Sequence, residues 1–236
     1  MKRTHPIVAI DGPAGAGKST VTRRVAERLG YRVLDTGALY RSVALAAASS
    51  DVPFEDETRV SAIARTMAEQ NAVDFSPDAT HGQRVLVRGE DVTLAIRTQP
   101  MSDGASRVSA LPGVRAALLE MQRAIGRSGG IVVEGRDIGS VVFPDAECKF
   151  FLTATAEERA RRRQAELQAR GAQADYAVIL AEVVERDERD RSRDVAPLIQ
   201  APDALAIDSS RLGIDEVVAV IVSRVREVAV QLQNRG

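Results

Sequence analysis

The sequence has few of the residues that build disulfides and metal sites. Among 236 residues there are one cysteine, two histidines and no tryptophan. Cys148 cannot form an internal disulfide, and its apolar neighbours predict a buried strand, so we expect a reducing compartment, the cytoplasm. His5 and His81 lack metal-ligand spacing and no cysteine cluster accompanies them, which argues against a zinc site.

Long apolar runs and a strong net charge are also missing. No run approaches the length that spans a bilayer, and the apolar part of MKRTHPIVAID is too short for a signal peptide. A formal charge of −1 gives no broad attraction to a nucleic acid polymer or a membrane, so we expect neither as a partner. Hydrophobic residues make up 44% of the chain, which is enough to fill a substantial core.

Lysine is scarce as well. Lys2, Lys18 and Lys149 are the only lysines among 32 basic residues, so position 18 stands out. Arginine at the other positions suits bidentate phosphate contacts, although a codon bias would produce the same excess.

Short apolar runs alternate with longer helical patterns, which predicts an α/β fold with a parallel sheet flanked by helices. The candidate strands are Pro6–Asp11, Tyr31–Leu34, Ile131–Glu134, Cys148–Leu152 and Leu205–Asp208. Helical spacing of apolar residues predicts a first helix that ends at Gly30 and a last helix near the C-terminus. Their apolar stripes are Val21, Val25 and Leu29, and Val217, Ile221, Val225, Val228 and Leu232.

A middle segment, about residues 71–98, changes to alternation of apolar and polar residues. Arg84–Arg88, a Gly89-Glu90 turn, and then Val92 and Leu94 predict a small antiparallel insert. Helical stripes flank it: Val60, Ile63, Ala64 and Met67 before it, and Val114, Leu118, Met121 and Ile125 after it.

An arginine-rich helix is predicted over Ala156–Arg170, with a possible capping box at Thr155 and Glu158 and an end at Gly171. The charged run ERDERDRSRD follows at residues 185–194. Both segments are consistent with a solvated, salt-bridged surface, and equally with a site for phosphate groups.

The segment Gly12–Ser19 has the full Walker A spacing, directly after an apolar strand and directly before a helix. Its backbone N–H groups cradle phosphates, Lys18 reaches the β and γ phosphates, and the Ser19 hydroxyl ligates Mg²⁺. The sequence therefore predicts ATP as phosphoryl donor and Mg²⁺ as cofactor; the alternative is a glycine-rich turn that happens to contain a lysine. The expected ATP contacts are Gly12, Pro13, Ala14, Gly15, Ala16, Gly17, Lys18, Ser19 and Thr20.

This loop alone does not separate a kinase from a GTPase, an ATPase or a passive nucleotide-binding module. No NKxD or TKxD segment for guanine recognition is found, which argues against a GTPase. No glutamine-rich or leucine-zipper segment indicates an ATPase driven by a partner.

Four further motifs decide between these classes: DTGALYR at 35–41, AIRT at 95–98, GRDIGSVVFPDA at 135–146 and ERDERDRSRDVAPL at 185–198. Together with DGPAGAGKST they resemble the bacterial cytidylate kinases, members of the P-loop nucleoside monophosphate kinase superfamily, over nearly the whole chain. The resemblance implies ATP-dependent phosphorylation of CMP and dCMP to CDP and dCDP by direct in-line transfer. A kinase for UMP or shikimate and a binding module without turnover remain as rivals.

The resemblance also implies an architecture: a five-stranded parallel core, an antiparallel NMP-binding insert and an arginine-rich helical lid. We expect one monomeric domain over residues 1–236. Its core would comprise residues 1–55, 100–154 and 195–236, the insert about 56–99 and the lid about 155–194.

By the same resemblance, Arg41 and Arg136 hold the acceptor phosphate with Arg193 beside them. The cytosine contacts would be Ser106, Arg115 and Asp137, and the ribose contacts Arg186 and Asp190. Thr36 and Tyr40 complete the expected CMP site. The expected catalytic residues are Lys18, Arg136, Arg159, Arg162 and Arg163.

Two residues depart from the family pattern. Thr36 and Glu134 stand where many relatives have serine and aspartate. Glu134 is one methylene longer and could shift a water-mediated magnesium contact, so Ser19 is the only predicted metal ligand. An ordinary ion pair between Arg41 and Asp137 is an alternative to their substrate roles.

Overall fold

The computed structural model describes residues 3–78, 82–169 and 171–234. His81 and Arg170, which the sequence analysis named, lie outside these ranges. No helix within them has the length and apolar character to cross a membrane.

A five-stranded parallel sheet and a separate three-stranded antiparallel sheet confirm the predicted α/β class. The strands are β1 Ile7–Asp11, β2 Arg32–Asp35, β3 Val73–Asp78, β4 Gly82–Val87, β5 Glu90–Asp91, β6 Ile131–Gly135, β7 Cys148–Thr153 and β8 Leu205–Asp208. All five predicted core strands are found, with ends that differ by at most one residue. The first sheet has the order β2-β6-β1-β7-β8, and the second has the order β3-β4-β5.

The described α-helices are α1 Lys18–Leu29, α2 Thr36–Ser49, α3 Glu57–Glu69, α4 Gln99–Val108, α5 Pro112–Gly126, α6 Ala156–Ala169, α7 Tyr176–Arg191 and α8 Ile214–Gln233. Gly30 caps α1 in the left-handed conformation, with φ 68°, as its position after the apolar stripe predicted. The predicted last helix is α8, and its residues Val217, Ile221, Val225 and Val228 are buried.

The chain forms two compact units, residues 33–127 and residues 1–32 with 128–236. In the unit of residues 33–127, the strands β3, β4 and β5 confirm the antiparallel insert. The predicted turn at Gly89-Glu90 was wrong by one residue, because Val87 pairs with Glu90 and the two loop residues are Arg88 and Gly89. Both loop residues have positive φ, 51° and 83°, as the tight turn that matches strand twist requires.

In the other unit, β1 is the central strand and lies between β6 and β7, to which it pairs in parallel. Residues 7 to 10 of this strand have no solvent exposure, as expected where helices cover both faces of a sheet. The carboxyl ends of its parallel strands meet at one edge, where ligands bind in open α/β sheets. The segments that leave this edge are the Gly12–Ser19 loop, the turn after β6 and the connection from β7 to α6.

The predicted capping box of α6 is only half formed. The Thr155 hydroxyl accepts the N–H of Glu158 at 3.2 Å. The reciprocal bond is replaced, because the N–H of Thr155 donates to Ser210 Oγ at 3.0 Å. The Glu158 carboxylate instead accepts from Arg161 and Arg162 on its own helix.

Candidate active site

The Gly12–Ser19 loop passes very close to its neighbours. Gly12 has φ 146°, and a Cβ there would lie 1.9 Å from the carbonyl oxygen of Leu152. Gly15 has φ 77°, and its Cβ would lie 3.2 Å from the Cβ of Arg159. Space therefore requires glycine at Gly12, and the positive φ favours glycine at both positions. The loop ends at the N-terminus of α1, where helix N–H groups and the helix dipole favour an anion.

Lys18 lies folded over this loop. Its ammonium group donates to the carbonyl oxygens of Gly12 and Pro13, each at 2.7 Å. Burial and the positive charge of Arg136 lower the pKa of Lys18 well below its ordinary value, against the opposing effect of nearby carboxylates. A phosphate beside this ammonium group would favour its charged form.

Ser19 lies beside Glu134, and its hydroxyl donates to a Glu134 carboxylate oxygen at 3.0 Å. A hydroxyl and a carboxylate oxygen at this spacing are ligands that Mg²⁺ takes, usually together with waters and substrate phosphates. In the described ranges, no group of three or more histidine, cysteine, aspartate or glutamate residues could hold a metal. The Ser19 hydroxyl and the Glu134 carboxylate are nevertheless oxygen donors of the type that fits a magnesium ion.

Asp190 on α7 orients two of the predicted acceptor arginines. Its carboxylate accepts from Arg136 Nε at 2.8 Å and from Arg193. Asp190 is only 1% exposed. Burial alone would raise the pKa of Asp190, but Arg136, Arg193 and Arg186 together hold it below the ordinary value. The predicted ribose contact is thus also the group that orients the guanidinium groups of Arg136 and Arg193.

Arg159 is held by a buried bidentate ion pair. Its two terminal nitrogens lie 2.8 and 2.5 Å from the carboxylate oxygens of Asp187. The same guanidinium donates to the carbonyl oxygens of Ala154 and Ala14, and the side chain is 3% exposed. Arg159 therefore connects α6 and α7 to the backbone of the phosphate loop.

Arg162 and Arg163 have different settings on α6. Arg162 donates to the carbonyl oxygen of Ser209 at 2.6 Å, and the Ser209 hydroxyl reaches the carbonyl oxygen of Ala16 in the loop at 3.3 Å. Arg163 donates to Glu166 at 3.2 Å, and a third of its side chain is exposed. The structure thus brings Arg159 and Arg162 to the loop, whereas the hydrogen bond of Arg163 to Glu166 stays within α6.

In the unit of residues 33–127, Arg41 pairs with Asp35 at 2.6 Å, and the same carboxylate caps α2 by accepting the N–H of Ala38. Arg41 therefore has a local carboxylate partner, which the sequence analysis did not propose. Thr36, the departure from the family pattern, is buried in the first turn of α2.

The predicted cytosine contacts of this unit are held together by main-chain and ring contacts. The guanidinium of Arg115 lies 5.8 Å from the ring centre of Tyr40 and donates to the carbonyl oxygen of Ser109 at 3.3 Å. The Ser109 hydroxyl donates to the carbonyl oxygen of Ser106 at 3.1 Å. Tyr40, Ser106 and Arg115 are all buried, and the contacts to Tyr40 and Ser109 hold the Arg115 guanidinium in place.

Sequence reasoning missed three residues that the geometry makes important. Asp187 binds Arg159, and Ser209 binds Arg162, both on α6. Only the tertiary structure shows these contacts. Asp11 offered a local signal, because it is a charged residue at the end of an otherwise apolar, fully buried strand. Its carboxylate accepts the N–H groups of Ile138 and Gly139, each at 2.8 Å.

Comparisons with known proteins agree with this geometry. The family model of cytidylate kinase matches residues 8–227. A cytidylate kinase from Pseudomonas aeruginosa is 50% identical over 222 residues, which cover 94% of this chain and 96% of that protein. One from Shewanella loihica is 48% identical over 227 residues, with 96% and 97% covered.

Among solved structures, an uncharacterized protein from Eubacterium ventriosum matches with a TM-score of 0.50 and 11% identity, over 94% of this chain and 99% of that one. That likeness concerns the fold alone. The sequence comparisons go further, since the family model extends through the phosphate loop, the turn after β6 and the arginine-rich helices. The chain belongs to the cytidylate kinase family.

Proposed function

We propose that this chain transfers the γ-phosphoryl group of ATP to CMP and dCMP, giving CDP and dCDP. One observation supports the proposal most strongly: in one unit, Lys18 lies over the phosphate loop, 2.7 Å from the carbonyl oxygens of Gly12 and Pro13, and the buried Asp190 orients Arg136 and Arg193. The loop lysine suits a donor phosphate, and the oriented arginines suit an acceptor phosphate. A phosphoryl transferase that joins a donor and an acceptor phosphate needs this arrangement.

On the donor side, the backbone of residues 12–20 surrounds the phosphates of ATP and Lys18 neutralises the β and γ phosphates. Ser19, with Glu134 beside it, would hold Mg²⁺. The ion would supply positive charge to the phosphate oxygens when it is bound. The Ser19 to Glu134 contact of 3.0 Å supports this assignment.

On the acceptor side, Arg136 and Arg193 bind the phosphate of CMP, and Asp190 keeps their guanidinium groups oriented. The family pattern also assigns Arg41 to the acceptor phosphate, and Asp35 is its local partner. Planar guanidinium groups suit a phosphate dianion because they donate two parallel hydrogen bonds.

Base and sugar recognition are assigned as the family pattern indicates. Ser106, Arg115 and Asp137 bind the cytosine edge, with Tyr40 and Thr36 beside them. Arg186 and Asp190 bind the ribose. A buried polar group that the wrong base leaves without a hydrogen bond disfavours that base, which is the physical source of selectivity against UMP.

The transfer itself needs no protein nucleophile. In-line attack by an oxygen of the acceptor phosphate requires positioning and positive charge around the moving group. Lys18 and Arg136 supply that charge, and Arg159, Arg162 and Arg163 are the candidates to add to it from the predicted lid. The lid and insert boundaries, a monomeric state and a cytoplasmic location stay predictions.

The test is a coupled assay of ADP release with CMP, dCMP, UMP, AMP or no acceptor. We expect fast release with CMP and dCMP, slower release with UMP and AMP, and little release without an acceptor. Equal rates with and without CMP would contradict the proposal, and a chain that binds ATP without turnover would be a binding module.

Lys18→Ala extends this test to the donor loop. We expect this variant to lose transfer and keep its fold. The matched control is Arg161→Ala, which removes a 60% exposed cation on α6 that pairs with Glu158. Near-normal turnover in a folded Lys18→Ala protein would show that the loop is not the donor site.

A further inference from the structure

Asp11 is a buried carboxylate to which the proposed reaction gives no role. It is the last residue of β1, directly before Gly12, and it is 4% exposed. One carboxylate oxygen accepts the N–H of Ile138 and the other accepts the N–H of Gly139, both at 2.8 Å. These two N–H groups belong to the first two residues of the single helical turn of residues 138–142. One rigid carboxylate therefore binds two consecutive backbone groups that need acceptors.

The two bonds flank a functional segment. Ile138 and Gly139 directly follow Arg136 and Asp137 in the chain. On the other side of that pair, Gly135 lies opposite Asp11 itself in the β1–β6 register. The backbone of Asp11 thus fixes one end of the Arg136-Asp137 segment, and its side chain fixes the other.

We infer that Asp11 is a positioning residue for the acceptor phosphate: its carboxylate sets the place of Arg136 relative to the phosphate loop that begins at Gly12. This inference rests on the proposed function, since it takes Arg136 as an acceptor contact. It assigns Asp11 no contact with substrate. The role requires both carboxylate oxygens to be acceptors, which only the ionised form provides.

Several charged groups act on this carboxylate. Lys18 on α1 favours its ionised form, and Asp137 in the neighbouring turn disfavours it. Arg136 is also close, because the negative charge of Asp11 raises the pKa of the Arg136 guanidinium. From β7, the stem of Lys149 packs against Gly139, and its ammonium group is bound to Pro144 and Asp203. Burial is the largest influence and raises the pKa of Asp11 to about 6, against the two backbone bonds that lower it.

Protonation and amide substitution have the same consequence. In either case one of the two oxygens is replaced by a donor group, so one of the two N–H groups loses its acceptor. Asp11→Asn is therefore a permanent model of the protonated state. Glu147→Gln is the matched control, because Glu147 accepts the N–H of Ile7 at 2.9 Å at the opposite end of the same strand.

The experiment measures kcat and KM for CMP and ATP from pH 5 to pH 8.5 in wild type, Asp11→Asn and Glu147→Gln. At pH 8 we expect Asp11→Asn to lower kcat/KM for CMP about ten-fold, as the loss of one buried hydrogen bond implies, with a smaller change in KM for ATP. The ratio of wild type to Asp11→Asn should fall toward one at pH 5. The CMP phosphate titrates in the same way in assays of both proteins, so its effect on activity cancels in this ratio.

A ratio that stays constant with pH, or equal losses for CMP and ATP, would overturn the inference, as would an equal effect of Glu147→Gln. If wild type itself shows no CMP-dependent release of ADP, the proposed function fails instead. Should Asp11→Asn not fold, the amide proton shifts of Ile138 and Gly139 in wild type provide the test. They should titrate together near pH 6, and shifts that do not change between pH 5 and pH 8 would show that the carboxylate does not hold these amides.

Discussion

Two regions of the same unit use arginine–acid pairs in opposite ways. Between α6 and α7, Arg159 and Asp187 are 3% and 6% exposed and form a bidentate pair. On α8, Arg224 and Glu227 are 56% and 57% exposed and meet at 3.2 Å. Removing one partner leaves an isolated charge in the first region, whereas water replaces the partner in the second. Burial, and not the arginine-rich composition, therefore decides which of these ion pairs stabilise the fold.

Asp187→Ala is expected to show the largest effect in this comparison. This variant leaves the Arg159 guanidinium buried without its anion, and we expect it to lose about 3 to 5 kcal/mol of unfolding free energy. Glu227→Ala is the control, with an expected loss below about 0.5 kcal/mol. Urea unfolding of both proteins measures the difference. Similar small losses would mean that water reaches Arg159 and that the pair does not stabilise the fold.

Arg136→Ala applies the comparison to function. Its guanidinium is held by the buried Asp190, and we assign it to the acceptor phosphate. Losing a charge-assisted bond costs about 1.5 to 3 kcal/mol, so KM for CMP should rise at least about ten-fold with little change in KM for ATP. Arg224→Ala should leave both constants unchanged. An effect confined to ATP would place Arg136 on the donor side.

Asp137→Ala sharpens the comparison within the acceptor residues. Asp137 is 5% exposed, and we expect it to accept a hydrogen bond from the cytosine amine, which UMP lacks. A buried group left without its partner costs about 1 to 3 kcal/mol, so the ratio of kcat/KM for CMP to that for UMP should fall about five-fold or more. If both activities fall equally, Asp137 does not read the base.

The smallest effect concerns stability and pH. Because the pKa of Asp11 is raised in the fold, to about 6 from 3.8, the folded state binds more protons than the unfolded state between these values. Stability contributed by this group therefore increases as the pH falls through 6. Relative to Asp11→Asn, wild type should gain about 1.4 kcal/mol between pH 8 and pH 5. Urea unfolding at both pH values tests this difference, and a gain of the opposite sign would contradict the raised pKa.

Local rules predicted most of the fold. The strand before Gly12 and the apolar stripe of α8 follow from the periodicity of apolar residues. The cap at Gly30 follows from the conformational freedom of glycine. Both rules need only residues that are close in sequence. The hairpin turn was misplaced because its first residue is Arg88. A side chain with a Cβ rarely adopts the positive φ that this turn needs, so the pattern favoured Gly89 as the first turn residue.

The candidate site was predicted less completely, and the reason is distance along the chain. The Walker A spacing and the arginine motifs are contiguous, so they could be recognised. Arg159 and Asp187 are 28 residues apart, and Asp11 is 127 residues from Ile138. No spacing rule connects such positions, because the contact exists only once the sheet and α7 are in place.

The lone cysteine has a practical consequence. Cys148 is 3% exposed in β7, and burial raises the pKa of its thiol to about 12, so it will react slowly with maleimides at neutral pH. An engineered Arg161→Cys on the exposed face of α6 would then be the one fast-reacting thiol among the described residues. A fluorophore attached there would test whether α6 moves when nucleotides bind, without first removing the natural cysteine.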